Sequence, residues 1–182
     1  FSSYEWSTGD TTPTINVTES GLYTVNITSE TDCENTIQDL DGFTYLDTFE
    51  ESDYYISTGA TTWNQANDLC NLVGGNLIVI SSEEENTFIT DLLLQDGDTY
   101  SPGVWIGIDL DSSQSEWING ESIGYINWNP LGGEPSGDGP YGNMWINSSG
   151  LLETTGTWND CPNTCSGYPE GFYFVLEIPS CE

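Results

Sequence analysis

The chain has 182 residues, with 30 Asp and Glu but no Lys, Arg or His, so its formal net charge is −30. Roughly twenty Lys and Arg would be ordinary at this length. Nucleic acid and anionic lipid surfaces are bound through Lys and Arg, so both are excluded as partners. A histidine triad and a lysine Schiff base are excluded as well. Paired carboxylates are what remains for catalysis, and the composition predicts that the chain is not an enzyme.

The excess of negative charge also affects folding. Repulsion among like charges destabilises the compact state, and side-chain ion pairs cannot offset it because the chain has no basic residue. We therefore expect bound divalent cations to contribute to stability.

Cysteine usage and hydropathy indicate where the protein resides. Zinc is disfavoured because there is no His and no CxxC pair. In an acidic chain rich in Asn, Ser and Thr, the cysteines predict disulfides and an extracellular location. No apolar run approaches the roughly twenty residues of a membrane span. Because residue 1 is Phe, we expect a processed product or part of a longer protein. The five cysteines are Cys33, Cys70, Cys161, Cys165 and Cys181.

The first forty residues differ in composition from the rest and are rich in Thr, Ser and Val. Apolar and polar residues alternate at 14–17 and 22–27, with turn residues on either side. This pattern predicts half-buried strands. About forty residues cannot bury enough surface to fold alone.

Two helices and several short strands are predicted beyond residue 43. Thr62 with Gln65, and Ser82 with Glu85, fit the spacing of helix N-terminal capping boxes, and apolar residues follow each at helical spacing. The apolar run at 77–80 predicts a buried strand between the helices. Further short strands are predicted at 104–108, 116–118, 125–128, 144–146 and 172–178. The second part of the chain therefore reads as an α+β domain, with its tryptophans as core and loop anchors.

Two short segments carry the most specific chemistry: Glu134-Pro135-Ser136 and Trp158-Asn159-Asp160. Their carboxylate, hydroxyl and amide groups are hard oxygen donors of the kind that calcium collects in a shell of six to eight ligands. The same oxygens can bind the hydroxyls of a sugar.

Eight ordered blocks together resemble a C-type lectin-like domain over roughly residues 43–178, and the domain is expected to span residues 43–182. The resemblance implies an α+β fold with two helices, small antiparallel sheets and a long loop region. The blocks are Tyr54-Tyr55-Ile56-Ser57, Trp63 with Ala66 and Cys70, Gly74-Gly75-Asn76-Leu77, Glu84-Glu85-Asn86, Trp105-Ile106-Gly107, Trp117-Ile118-Asn119-Gly120, Gly133-Glu134-Pro135-Ser136 and Trp158-Asn159-Asp160.

The resemblance implies a cis peptide bond before Pro135, a bond type essentially confined to proline. It also implies a calcium ion whose shell is completed by sugar hydroxyls. The Glu-Pro-Xaa order is similar to that of sites for mannose, glucose or fucose. The family supplies a further acidic ligand where this chain reads Tyr141-Gly142-Asn143, and Asp138 could substitute from the opposite side of the loop. The residues matching the shared metal and sugar site are Glu134, Ser136, Asn159 and Asp160.

A second cation position of some family members falls on Glu84 and Glu177. The alternative for Glu84 is a helix-capping role, because a negative charge near a helix N-terminus is stabilised by up to about 1 kcal/mol. Glu177 could instead be a solvated strand residue.

The disulfides depart from the family pattern. The usual partner of the first-helix cysteine is replaced by leucine, so Cys70 is expected to pair with Cys181 instead. The loop cysteine is also missing, so Cys161 and Cys165 are expected to bridge each other. That leaves Cys33 over.

Residues 1–40 resemble the last strands of immunoglobulin-like repeats in very large bacterial surface adhesins. The resemblance rests on residues 4–13 and 17–25 followed by Cys33. It implies a partial all-β sandwich segment whose missing strands come from elsewhere.

Three functions follow from these observations. The first is an extracellular, calcium-dependent lectin module of an adhesin. The second is a structural subunit of a filament, built by strand complementation through residues 1–40 with the lectin-like domain displayed. The third, a carboxylate-only glycosidase, ranks last because nothing fixes an acid pair across a glycosidic bond.

Overall fold

A computed structural model describes residues 2–29, 39–113, 116–147 and 154–180. The chain divides into two compact units, whose described residues are 2–29 in the first and 39–113, 116–147 and 154–180 in the second. We describe each by itself.

The first unit contains a two-stranded antiparallel sheet. Strand β1 (Ser2–Trp6) pairs with β2 (Val25–Ser29), and the register runs from Ser2 opposite Ser29 to Trp6 opposite Val25. The strand predicted at 14–17 is wrong, because these residues form irregular chain. A strand gains stability by burying one face, yet Val17 and Leu22 are 52% and 90% exposed. The immunoglobulin-like repeat stays a prediction.

The second unit is built around a mixed sheet with the strand order β3-β4-β9-β6-β7-β8, and β5 adds to β9. Neighbours are antiparallel except β6 and β9, which run parallel. The strands are β3 (Phe43–Phe49), β4 (Ser52–Ser57), β5 (Asn76–Leu77), β6 (Gly103–Asp109), β7 (Tyr141–Trp145), β8 (Trp158–Cys161) and β9 (Tyr173–Pro179).

Two helices begin where the sequence predicts. In α1 (Trp63–Leu72) the Thr62 hydroxyl accepts from the backbone N–H of Gln65, and in α2 (Glu83–Leu94) Ser82 does the same for Glu85. The Gln65 side chain does not complete a capping box, in which it would accept from the Thr62 backbone N–H. Its oxygen accepts from the Thr62 hydroxyl instead, at 3.2 Å.

Side chains alternate between the two faces of the sheet, and each face receives one helix. On β6, Val104, Ile106 and Ile108 belong to one buried cluster, whereas Trp105 belongs to the other, as period-two alternation requires. Helix α2 packs into the first cluster and α1 into the second.

Several predicted strands differ from the observed ones. The run at 77–80 is buried as predicted, but only its first residue belongs to a strand, β5. The segments 116–118 and 125–128 are not strands, and each contributes one residue, Glu116 or Trp128, to an isolated bridge. The sheet already buries both faces under α1 and α2, so these segments pack over it as loops. Tryptophans anchor the core as expected: Trp105 and Trp158 are fully buried.

Cys70 corrects a predicted disulfide. It is a free thiol, fully buried on α1, so the expected Cys70–Cys181 bridge is wrong. The thiol packs in the same apolar cluster as Leu77 and Leu176, and behaves as a small hydrophobic side chain. Burial raises its pKa. Cys33 and Cys181 lie outside the described residues.

Candidate functional site

The loop that carries Glu134 is folded back on itself by Asn129. The side-chain oxygen of Asn129 accepts from the backbone N–H groups of Leu131 and Gly132, at 3.0 and 3.3 Å. Its carbonyl accepts from the N–H of Glu134 at 3.0 Å. The next peptide bond, Glu134–Pro135, is cis, as the sequence predicts.

Asp160 ties this loop to strand β8. Its side chain is fully buried. One carboxylate oxygen accepts from the Ser136 N–H at 2.6 Å, and the other accepts from the Gly137 N–H at 2.8 Å. Hydrogen bonds from backbone N–H groups to an ionised carboxylate are among the stronger ones in proteins. Asp160 therefore fixes the loop's position on the sheet.

Two carboxylates meet at this point without a basic residue between them. Burial, and then the neighbouring Asp160, raise the pKa of Glu134. Burial also acts to raise the pKa of Asp160, but hydrogen bonds from Glu134 and from the Ser136 and Gly137 N–H groups leave it lowered. A single proton between the two groups relieves their repulsion, and a bound cation can do the same.

Asn143 occupies the position where the family resemblance implies an acidic ligand. It is fully buried on β7, and its oxygen accepts from the Asn159 side-chain amide at 3.0 Å. Asn143 thus orients Asn159. Its own amide nitrogen is the buried side-chain polar atom without a hydrogen bond in the described part of the chain.

The predicted ligands divide between two cavities. Glu134 and Asn159 line a cavity of about 400 Å³ together with Asn129, Trp145 and Tyr168. Asp160 lines a separate, smaller cavity of about 270 Å³. Ser136 contributes its backbone N–H to Asp160, with its hydroxyl 3.4 Å from the same carboxylate. Asp138 is exposed and lines neither cavity.

Sequence reasoning missed Asn129, Trp145 and Tyr168. The sequence predicts Trp145, like the other tryptophans, as a core or loop anchor. The other two residues lie in irregular segments whose spacing carries no periodic signal. The approach of these loops depends on the fold, which the residues' spacing does not reveal.

The second predicted position holds Glu177, but with Glu85 in place of Glu84. Glu84 is exposed, whereas Glu85 and Glu177 line a third cavity of about 460 Å³ together with Glu121. Helix α2 advances about 100° per residue, so Glu85 faces inward when Glu84 faces solvent.

Glu177 and Glu85 are both held by protein donors. Glu177 accepts from the Ser52 hydroxyl at 2.7 Å and from the Val79 N–H at 2.9 Å. Burial raises the pKa of Glu177 to about 7, although these two hydrogen bonds act against the shift. Glu85 accepts from the Tyr54 hydroxyl at 2.6 Å and from the Ser81 N–H at 2.7 Å.

The donor chemistry at both positions suits calcium, but the number of charged ligands is low. Carboxylate, amide and hydroxyl oxygens are what calcium prefers. In the described part of the chain, however, no three Asp, Glu, His or Cys side chains come together closely enough to hold a metal ion. Any calcium at the loop must therefore take part of its shell from neutral oxygens.

The predicted disulfide between Cys161 and Cys165 is confirmed. The Cα atoms lie 5.3 Å apart, and the bridge closes a short turn directly after β8. Tyr168 follows this turn, and its N–H donates to the Cys165 carbonyl at 2.9 Å. The disulfide thus fixes the segment that brings Tyr168 to the cavity.

Helix length bears on whether this part of the chain can cross a membrane. Among the described residues, no helix is both long and apolar enough to do so.

Two known proteins with similar sequences are receptors. Over 136 residues the chain is 29% identical to a low affinity immunoglobulin epsilon Fc receptor of Mus musculus, covering 74% of this chain and 36% of that protein. Over 125 residues it is 33% identical to a secretory phospholipase A2 receptor of Bos taurus, covering 63% and 8% respectively. The chain thus spans about a third or less of these two relatives.

Solved structures share the fold. One is the cow C-type carbohydrate-recognition domain of CD23 in the presence of a GlcNAc2Man3 oligosaccharide. Its TM-score is 0.59 at 28% identity, covering 81% of this chain and 99% of that one. Another is a Ca2+-independent C-type lectin, SPL-2, from Saxidomus purpuratus. Its TM-score is 0.58 at 23% identity, covering 76% and 92%.

A family model described as the lectin C-type domain matches residues 59–168. The relatives are receptors and lectins, and this chain is not an enzyme. The chain belongs to the C-type lectin domain family.

Proposed function

We propose that the chain is an extracellular, calcium-dependent glycan-binding module, displayed on a cell surface as part of an adhesin. The observation that carries this proposal is the tie between Asp160 and the cis-proline loop. The tie brings Glu134 and Asn159 to one cavity. Carboxylate and amide groups that converge in a concave site are suited to the hydroxyls of a sugar.

Each of these residues has a distinct part in the proposed site. Glu134 accepts hydrogen bonds from sugar hydroxyls, and Asn159, oriented by Asn143, binds a neighbouring hydroxyl. Asp160 keeps the loop in place. A calcium ion would be held by Glu134, Ser136, Asn159 and Asp160, and would supply positive charge to sugar oxygens. Asp138 remains a candidate for a further ligand.

The charge of the site argues for weak calcium binding. Extracellular calcium modules have dissociation constants on the order of 10⁻⁴ to 10⁻³ M, and a site with fewer charged ligands binds calcium more weakly. Two carboxylates place this site at that weak end. We propose a second ion between Glu85 and Glu177, whose carboxylates line one cavity together with that of Glu121.

The relatives support a glycan containing mannose. The cow domain was solved in the presence of an oligosaccharide of GlcNAc and mannose, and the Glu-Pro-Xaa order favours mannose, glucose or fucose. Affinity for one sugar is expected to be weak, so attachment would depend on multivalency.

Titration calorimetry on chelator-treated protein tests the proposal. We expect calcium to bind, and methyl α-mannoside to bind when calcium is present. Glu134→Gln should weaken both affinities at least tenfold, since the substitution removes one of two charges. The matched control is Glu116→Gln, which changes an exposed carboxylate in another loop.

The possible outcomes separate the two parts of the proposal. Sugar binding that persists in chelator would refute the calcium dependence and would support the glycan-binding part of the proposal. If mannose, fucose, glucose and galactose all fail to bind with calcium present, the glycan proposal falls.

The first unit supports a second candidate, assembly by strand addition. Strands β1 and β2 pair with each other within residues 2–29, and an isolated two-stranded sheet is marginally stable at best in water. A further strand from another copy would extend this sheet. Light scattering at increasing protein concentration tests the idea: assembly predicts growth in mass, and a constant monomer mass would contradict it.

A further inference from the structure

The cavity shared by Glu134 and Asn159 also contains two aromatic side chains that the proposed calcium site does not use. Trp145, at the end of β7, and Tyr168, which follows the disulfide turn, both line it. Its volume of about 400 Å³ falls within the roughly 300–1,000 Å³ of small-molecule sites.

Both rings are held in place by one buried residue. The Phe172 ring centroid lies 5.1 Å from that of Tyr168 and 6.3 Å from that of Trp145, and Phe172 is 2% exposed. The backbone of Tyr168 is fixed on both sides, by its N–H to Cys165 and by its carbonyl, which accepts from Gly171. Tyr168 is nevertheless 38% exposed. A fixed and exposed ring can bind a ligand with little loss of conformational entropy.

The combination of groups suits a pyranose ring. One face of a pyranose presents C–H groups, which pack on the electron-rich face of an aromatic ring. Its rim carries hydroxyls, for which the amides of Asn129 and Asn159 and the carboxylate of Glu134 are suitable partners. An acidic sugar would be repelled, because the chain has a net charge of −30 and no basic residue to pair with the sugar's carboxylate.

We propose that Tyr168 and Trp145 form a second sugar subsite, which selects neutral oligosaccharides of two or more units over single sugars and over acidic glycans. This inference rests on the glycan-binding function proposed above. It assigns the first sugar to Glu134 and Asn159, and the next one to the aromatic pair.

Titration of methyl α-mannoside and of a linear mannotriose, with calcium present, tests the subsite. In the wild type we expect the trisaccharide to bind at least tenfold more tightly than the single sugar. Tyr168→Ala should reduce that advantage to less than twofold, because the trisaccharide then loses the stacking contact of its second unit. A mannotriose oxidised to a uronic acid at its non-reducing unit should bind at least tenfold more weakly than the neutral one.

Two control variants distinguish stacking from a structural effect. Tyr168→Phe keeps the ring and should keep the tenfold advantage. Ile126→Ala shortens an exposed apolar side chain that lines the separate cavity beside Asp160, and it should also keep the advantage. In NMR spectra, ring protons of the second sugar should shift upfield with the wild type and with Tyr168→Phe, but not with Tyr168→Ala.

The subsite is overturned if the trisaccharide advantage survives Tyr168→Ala, or if the wild type binds both sugars equally. Failure of the wild type to bind either sugar would instead refute the glycan-binding function itself.

Discussion

At the scale of single residues, buried carboxylates determine the behaviour of this protein. Asp160 is fully buried and accepts two backbone N–H groups, so it is an anchor for the loop whether or not it also binds a cation. Glu177 is a different case. Its carboxylate is held in a site whose burial disfavours the charge, with Glu85 and Glu121 in the same cavity.

Glu177 makes the stability of the folded state depend on pH. Its pKa rises from the ordinary 4.5 to about 7 on folding, so the folded state binds more protons than the unfolded state between these values. Stability contributed by the protonated form is therefore complete below pH 4.5 and is lost as pH rises through 7. The loss amounts to roughly 3 kcal/mol.

Glu177→Gln should remove this part of the pH dependence. An amide can still accept from the Val79 N–H and donate to the Ser52 hydroxyl. Urea unfolding from pH 4 to 8 in metal-free buffer measures the pH dependence of the free energy of unfolding. Glu84→Gln is the control, because it changes an exposed carboxylate. Parallel profiles for wild type and Glu177→Gln would contradict the shift.

At the scale of elements, the site is assembled from segments that are distant along the chain. The loop after Asn129, strand β8 and the disulfide turn meet at one edge of the sheet, because β8 is its last strand in the described order. Gly139 shows how close this contact is: a Cβ added there would overlap the backbone of Cys161 and Pro162. The loop can approach β8 only because glycine occupies that position.

The disulfide turn should contribute to stability and to oligosaccharide binding. Closing a loop of about five residues is worth about 2 kcal/mol by the chain-entropy relation. We expect the double variant Cys161→Ser/Cys165→Ser to unfold at lower denaturant concentration by about that free energy. It should also lose the trisaccharide advantage, because Tyr168 is no longer fixed.

Comparing that double variant with oxidised wild type checks the assignment. Cys70 does not interfere with the comparison, since it is a buried thiol with a raised pKa and reacts slowly. A double variant as stable as the oxidised wild type would contradict a stabilising role.

At the scale of the whole molecule, the charge of −30 without any basic residue dominates the solution behaviour. Each unit lacks the side-chain ion pairs that usually offset repulsion. Solvent ions and bound protons must therefore reduce the repulsion between carboxylates. Screening by dissolved salt acts on all the exposed carboxylates.

Stability should therefore rise with ionic strength. The Debye length shortens from about 30 Å at 0.01 M to about 3 Å at 1 M, which suppresses repulsion between exposed carboxylates. We expect the thermal midpoint to rise by several degrees between these NaCl concentrations, roughly 2–4 °C per kcal/mol. Calcium chloride at matched ionic strength should raise the midpoint further if ions bind specifically. A midpoint that falls with salt would contradict the electrostatic account.

The sequence by itself determined the family, both helix N-termini, the cis bond before Pro135 and the Cys161–Cys165 bridge. These depend on local chemistry or on ordered motifs: a hydroxyl that accepts from the third N–H, a proline, two nearby thiols. The tertiary structure decided what depends on packing between distant segments. It placed Glu85 rather than Glu84 beside Glu177, left Cys70 as a buried thiol, and brought Tyr168 and Trp145 to the cavity of Glu134 and Asn159. Spacing along the chain does not encode such meetings, because they follow from the order of strands in the sheet and from which loops its edge brings together.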